Sequence, residues 1–113
     1  MGKSSRRTPA SKGPSTEKVN EFIQFKRRHY IEVANRTSEG SSYKKFNARA
    51  AKIYTYAYNR DKENYYLYKQ KWIESANVIL QSFHDNEQML KALHNKMTQE
   101  MQQIICMEHL IFR

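Results

Sequence analysis

The feature that most limits what this chain can fold into is an absence: from Ser41 to Arg113 there is neither a glycine nor a proline. These residues make most tight turns and interrupt most helices, so a long stretch without them favours helices throughout. Apolar residues in this stretch recur at spacings of three and four, which is the period of a helix face, and no strand pattern competes. We therefore predict an all-α fold.

The chain divides into three segments. Residues 1–15 combine glycine, proline, serine and several basic residues without an apolar anchor, which is typical of a disordered basic arm. Residues 16–83 carry three predicted helices, at about 16–34, at about 42–57, and after a turn at 59–61 up to about 83. At 113 residues the chain has room for one domain of ordinary size, so a single core is expected.

Each of the three predicted helices has an apolar stripe. In the first, Val19, Phe22, Phe25, His29 and Val33 share one face by their spacing, and Ile23 and Tyr30 lie beside that stripe. Aliphatic residues are scarce, so tyrosines and the single tryptophan must supply much of the core. The predicted core residues are Phe25, Phe46, Ile53, Tyr54, Tyr65 and Trp72.

Residues 84–113 contain a fourth predicted helix, at about 86–111, which is amphipathic. Its apolar residues fit a heptad that Glu100 interrupts, namely Leu90, Leu93, Met97, Ile104, Met107 and Ile111. Such a face must be covered. It can pack back on the third helix, or it can pair with a second chain or another protein, and the spacing alone does not choose between these.

Charge is distributed unevenly along the chain. The formal net charge is +9, with +6 on residues 1–30, +5 on residues 31–72 and −2 on residues 73–113. A polyanionic partner is therefore expected to meet the N-terminal two-thirds of the chain. The alternative interpretation is a solvated basic surface without a partner.

Several classes of function lack their residues. Three glycines cannot build a phosphate-binding loop, and Cys106 with His109 supplies half of a zinc site. The same pair lacks the orienting group and pocket that a catalytic nucleophile needs. No apolar run is long enough to span a membrane. We expect no enzymatic activity, no cofactor, no metal and no membrane partner, and the single cysteine favours a reducing compartment.

The stretch VNEFIQFKRRHY at residues 19–30 resembles the opening helix of the HMG-box family. Tyr54 stands where that family has its core tryptophan, Lys62 and Tyr65 match a lysine and an aromatic residue that follow it, and Phe46 matches the apolar residue before it. The resemblance covers about residues 17–82 and is greatest to the divergent HMG boxes of fungal mating-type regulatory proteins. The chain departs from the family pattern in lacking a proline before Asn20 and in having Glu21 and Tyr54.

This resemblance implies a three-helix, L-shaped domain that binds and bends duplex DNA through the minor groove. It implies that Ile23 is a wedge inserted between base pairs, that Asn20 contacts base edges, that Phe22 is one of the residues at the bases, and that Tyr43 stands where some boxes have a second wedge. The alternative roles are core for Ile23 and Tyr43 and a solvated position for Asn20. Phosphate contacts are expected from Arg6, Arg7, Lys18, Lys26, Arg27, Arg28, Lys44 and Lys45.

The sequence thus favours a nuclear transcriptional regulator that binds double-stranded DNA with some sequence preference, with residues 86–111 as a possible surface for a protein partner or self-association. Contact with about six phosphates would give a log–log salt dependence of roughly −5. Two other interpretations stay open: a helical adaptor that uses its last helix to bind proteins, and an RNA-binding helical protein that stacks bases on tyrosines.

Overall fold

A computed structural model describes residues 15–112, and these residues form four helices. They are α1 (Thr16–Arg36), α2 (Ser42–Tyr58), α3 (Lys62–Ser82) and α4 (Glu87–Ile111). No strand occurs within residues 15–112. The prediction of an all-α fold is confirmed. The predicted basic arm lies outside the described residues except for Ser15.

Each helix begins at a polar side chain that accepts a hydrogen bond from a backbone amide of the first turn. These caps are Ser15, Ser41, Asp61 and Asn86. Such a cap satisfies one of the amides that a helix start leaves without a partner. Short capped turns explain why four helices follow one another without a proline, and Gly40, at a φ of 81°, supplies the left-handed residue that the turn before α2 requires.

The core is built mainly from aromatic rings and small residues of α2 and α3. Phe46 stacks on Trp72 with ring centroids 5.4 Å apart, and Ala50 and Ala76, both buried, allow these two helices to approach closely. The residues predicted for the core on these helices are all buried: Phe46, Ile53, Tyr54, Tyr65 and Trp72. This packing fixes α2 between α1 and α3.

The side of α1 that faces the core differs from the predicted one. Val19, Ile23, Tyr30 and Ala34 are buried, whereas Phe25 is 67% exposed. The prediction of Phe25 as a core residue is therefore wrong, and so is the placement of Ile23 and Tyr30 beside the buried stripe. The cause is that two apolar patterns overlap on this helix, and the packing of Tyr30 on Tyr54 selects the one that contains Ile23.

Helix α4 packs against the other three helices. Leu93, Ile104 and Met107 are buried in the same cluster as the aromatic residues of α2 and α3. The apolar face of α4 is thus covered within the chain for much of its length, although Met89 and Ile105 are exposed. Of the described helices, none is long and apolar enough to cross a membrane.

Candidate nucleic-acid interface

A concave surface of about 570 Å³ lies along the N-terminal half of α1, where the end of α2 approaches it. Helical spacing places its α1 residues on neighbouring turns of one side, and Tyr58 closes it from α2. The lining residues are Glu17, Asn20, Glu21, Gln24, Phe25, Arg28 and Tyr58. We call this surface the Asn20 face. It combines amide, aromatic and cationic side chains, which are the groups that contact bases and phosphates.

Asn20 is held in place by a residue distant in sequence. Its Oδ1 accepts a hydrogen bond of 2.9 Å from Nη2 of Arg60, which lies in the turn between α2 and α3. Asn20 is half-buried, so this bond restricts an amide that a fully solvated position would leave free. The alternative prediction for Asn20 is a solvated residue near the helix start, and a half-buried side chain that bonds to Arg60 differs from it.

Phe25 is the most exposed aromatic side chain of the described residues. It lies on the Asn20 face beside Arg28, and the ring of Tyr58, also exposed, lines the same concavity. Water around an exposed apolar ring is released when that ring is buried, so an exposed aromatic beside a cation is a favourable place for a base to stack. These two rings were not among the residues predicted for the site.

The cations of α1 and α2 differ in their freedom, and of these Arg28 lines the Asn20 face, whereas Lys45 lines a separate cleft between α2 and α3. Arg27 donates from Nε to Oγ1 of Thr55 at 3.0 Å, which ties α1 to α2, and Arg28 is exposed. On α2, Lys45 and Lys52 are exposed. Arg28, Lys45 and Lys52 can therefore meet phosphates without breaking a buried contact.

Two other cations of this region are engaged in structural contacts. Lys44 donates from Nζ to the carbonyl oxygen of Ala34 at 2.8 Å, which joins the start of α2 to the end of α1. Arg49 donates from Nη1 to the carbonyl oxygen of Lys71 and to Oγ of Ser75. Lys44, a predicted phosphate contact, is thus partly committed to holding the helices together.

Several of the predicted site residues do not come together with Asn20. Lys18 and Phe22 line a separate apolar cleft of about 370 Å³ between α1 and α4, with Met107 on its opposite wall. Tyr43 is exposed and lies near Phe83, at the far end of α2. At about 1.5 Å of rise per residue, that is roughly 25 Å along the helix from the Arg60 turn. Arg6 and Arg7 lie outside the described residues.

Ile23 does not fit the wedge role that the resemblance implies. Its side chain is 0% exposed and sits in the core cluster, so it cannot enter a DNA helix unless α1 leaves its place. Its alternative role, a core residue, is the one that the structure supports. Hydrophobic burial explains this, because a fully buried isoleucine contributes about 1.5–3 kcal/mol that exposure would forfeit.

Lys26 is drawn away from the predicted phosphate-binding set by Glu100 of α4. Its Nζ lies 3.0 Å from Oε1 of that carboxylate. Tyr30 donates to the same oxygen at 2.7 Å, and the hydroxyl of Tyr54 donates to Oε2. We call these four side chains the Glu100 cluster. Burial is the main reason, with the nearby carboxylate, that the pKa values of both tyrosine hydroxyls are raised above their ordinary value.

The Glu100 cluster explains a feature of the sequence that otherwise conflicts with a simple pattern. Glu100 interrupts the apolar face of α4, and Tyr54 places a hydroxyl among the core residues of α2. In the structure the tyrosine hydroxyl and the carboxylate are partners inside the core. A buried carboxylate needs such donors, since an unpaired one would be strongly destabilising.

A second cluster repeats this arrangement farther along α4. Glu108 accepts hydrogen bonds from Nζ of Lys69 at 2.7 Å and from the hydroxyl of Tyr65 at 2.9 Å. Partial burial by itself would raise the pKa of Glu108, but the hydrogen bonds from Lys69 and Tyr65 outweigh it and lower that pKa below its ordinary value. We call these three side chains the Glu108 cluster.

Sequence reasoning missed Tyr58 as part of the Asn20 face and Arg60 as the residue that bonds to Asn20. Arg60 sits in a predicted turn, and no local pattern shows that its side chain reaches back to α1. The interruption at Glu100 was visible, and a charged residue inside an apolar stripe is a signal for a buried partner. Which partner it finds depends on the tertiary fold.

Within residues 15–112 no group of three or more histidine, cysteine or acidic side chains could hold a metal ion. Cys106 is exposed and unpaired. No protein-family model, no curated protein and no solved structure matches the chain.

Proposed function

We propose that this protein binds duplex DNA through its minor groove, using the Asn20 face, and that Phe25 is the side chain inserted between base pairs. The observation that carries the proposal is the 67% exposure of Phe25 on a surface that also presents Asn20 and Arg28. Insertion of an apolar side chain unstacks one base step at a cost of a few kcal/mol, which the larger contact surface offsets.

The electrostatics support a polyanionic partner for α1 and α2. Arg28, Lys45 and Lys52 are exposed, and the chain as a whole carries a formal charge of +9. Glu17 and Glu21 line the concavity itself, so we place the phosphates at Arg28 and other exposed cations and the base edges at Asn20 and Phe25. Contacts to phosphates fix the position of the duplex, and the groups in the groove contact the bases.

In this proposal α1, α2 and α3 form a divergent domain of the HMG-box type, and α4 is an addition that covers its core. The wedge then lies two residues after the position that the resemblance gives it, since Ile23 is buried. The same resemblance leads us to propose a nuclear transcriptional regulator of the mating-type kind. The main role of α4 in this proposal is to complete the core, and binding a protein partner is secondary.

A second candidate function uses the same rings. Phe25 and Tyr58 are both exposed, and unpaired bases stack on such rings in proteins that bind single strands. Single-stranded RNA is therefore the competitor that the experiment must include. The adaptor interpretation draws less support, because the apolar face of α4 that it needs has Leu93, Ile104 and Met107 buried within the chain.

The decisive experiment is a gel-shift titration with a circularly permuted set of AT-rich duplexes, repeated with unlabelled single-stranded RNA as competitor. Phe25→Ala is compared with Val78→Ala, a control that removes another exposed apolar side chain, 56% exposed, from α3. We expect Phe25→Ala to weaken binding about tenfold and to abolish the dependence of mobility on site position, since aromatic stacking on bases is worth about 1–3 kcal/mol.

Two results would overturn the proposal. Binding by the wild type without any position dependence of mobility would exclude a wedge. Stronger competition by single-stranded RNA than by duplex DNA would indicate that the Asn20 face binds single strands.

A further inference from the structure

The turn between α2 and α3 contains a residue in an unusual backbone conformation. Arg60 has a φ of 57°, and within residues 15–112 it is the one residue other than glycine with a positive φ. Side chains with a Cβ disfavour this left-handed region, and glycine or asparagine is the usual choice there. The reason that an arginine stands here is therefore to be found in the contacts of its side chain.

The guanidinium of Arg60 joins two parts of the molecule. Its Nη1 donates at 2.7 Å to the carbonyl oxygen of Ala57 at the end of α2, which also accepts from the backbone amide of Arg60. Its Nη2 donates to Oδ1 of Asn20 at 2.9 Å, on α1. The first bond is one that many side chains or water could replace, whereas the second reaches a residue 40 positions away in the chain.

This second bond fixes which end of the Asn20 amide faces outward. A guanidinium has donors and no acceptor, so only the oxygen of the amide can face Arg60. The NH₂ group is then turned away from Arg60. Asn20 lines the concavity with Phe25, and an amide held in this way offers its NH₂ group, not its oxygen, to a ligand there.

We propose that Arg60 is a positioning residue that makes Asn20 select A·T over G·C pairs in the minor groove. Adenine N3 and thymine O2 are acceptors there, and guanine adds an amino group, which is a donor. An amide fixed with its NH₂ outward can bond to the acceptors and opposes the guanine amine. This inference rests on the proposed function and deepens it.

The test uses three duplexes that differ at a single step, which is A·T, G·C or inosine·C. Inosine·C lacks the guanine amine, so in the minor groove it resembles A·T. Fluorescence anisotropy at one fixed salt concentration gives the ratio of dissociation constants. For the wild type we expect the A·T and inosine·C duplexes to bind about fivefold more tightly than G·C, roughly the factor that one net hydrogen bond supplies.

Two variants separate positioning from a structural role. Arg60→Gly suits the backbone, since glycine adopts a positive φ freely, and it removes the guanidinium. Asn20→Asp keeps an oxygen for Arg60 and loses the NH₂ donor. Both variants should remain folded by circular dichroism and thermal melting, and in both the A·T preference should fall to about one. Arg28→Gln is the matched control, which should weaken all three duplexes alike and leave the ratio unchanged.

The outcomes that overturn the inference differ from those that overturn the proposed function. An unchanged preference in Arg60→Gly would make Arg60 a residue of the turn only. A wild type that treats inosine·C like G·C would show that the minor-groove amine is not read. A wild type that binds none of the duplexes would overturn both proposals, whereas tight binding without preference would overturn this inference alone.

Discussion

Lys26 and Arg28 lie two residues apart on α1, yet they belong to regions of opposite character. Lys26 is half-buried in the Glu100 cluster with its ammonium 3.0 Å from a carboxylate, whereas Arg28 is exposed on the Asn20 face. Lys69 and Lys52 show the same contrast: Lys69 is paired with Glu108 in the Glu108 cluster, whereas Lys52 on α2 is exposed. Similar charges therefore serve the core on one side of the fold and remain available to a partner on the other.

This difference shows why charge counted along a sequence overstates a nucleic-acid interface. The acidic residues of α4 lie far from these lysines in the chain, and two of them neutralise lysines that a local count assigns to DNA. A buried ion pair gains from the low dielectric around it but loses hydration, so its main consequence is specificity of packing. In this protein it fixes where α4 docks.

The largest effect is expected from breaking the Glu100 cluster. Glu100→Leu removes the acceptor of two buried tyrosine hydroxyls and leaves the half-buried ammonium of Lys26 without its partner, which should lower the free energy of unfolding by about 3–5 kcal/mol. Urea denaturation followed by circular dichroism measures the loss. Glu87→Gln, in the exposed first turn of α4, is the control and should change little. A loss below about 1 kcal/mol for Glu100→Leu would mean that the cluster does not hold α4.

Because Ile23 is buried and Phe25 is exposed, alanine at residue 23 should mainly reduce stability and alanine at residue 25 should mainly reduce DNA binding. Ile23→Ala opens a cavity in the core and should cost about 2–5 kcal/mol of stability. Phe25→Ala should cost about 0.5 kcal/mol or less, as exposed substitutions do, while it impairs DNA binding. Thermal melting and the gel shift measure the two effects on both variants. If Phe25→Ala were the more destabilising of the two, the orientation of α1 described above would be wrong.

The buried tyrosines should distinguish the core from the surface in an alkaline titration. Burial raises the pKa of Tyr30, Tyr54 and Tyr65 above the ordinary value of 10.0, so their contribution to stability is complete below pH 10 and is lost as the pH rises above it. Absorbance at the phenolate band should show three of the eight tyrosines titrating only as the protein unfolds. Titration of all eight in one step while the helices remain intact would contradict this.

The smallest effect is expected in the salt dependence of DNA binding, which should differ between exposed cations and cations that already form ion pairs. Arg28→Gln and Lys52→Gln should each reduce the salt dependence of DNA binding by about 0.9, the value for one lost phosphate contact. Lys69→Gln should leave that slope unchanged, because its ammonium already bonds to Glu108. Binding titrations over a series of salt concentrations measure the three slopes. Equal slopes for all three variants would show that engagement in an ion pair does not matter.

Much of the fold was predictable from local information. The four helix ranges follow from apolar spacing, the lack of glycine and proline, and polar residues at the turns, and the structure places the helices within a few residues of the predicted bounds. The capping residue of a helix is harder to predict where two neighbouring polar residues could both serve. Ser15 caps α1 although the neighbouring Thr16 is also a favourable cap residue, and Asn86 caps α4 although the neighbouring Asp85 is one as well.

The face that each helix buries was predictable for α2 and α3 but not for α1. On α2 and α3 a single apolar stripe exists, so Phe46, Ile53, Tyr65 and Trp72 could be assigned to the core. On α1 two stripes overlap, and the one that contains Phe25 has the larger residues. Their spacing is equally helical, so periodicity gives no basis for a choice.

The sequence by itself determined that the chain is helical, where its helices lie and that its charge is concentrated before α4, because these properties depend on neighbours along the chain. Only the tertiary structure decided that Ile23 is buried and Phe25 exposed, that Glu100 and Glu108 engage Lys26 and Lys69, and that Arg60 holds Asn20. Each of these depends on the geometry of side chains far apart in sequence, and burial and hydrogen bonding are satisfied only when the helices have packed.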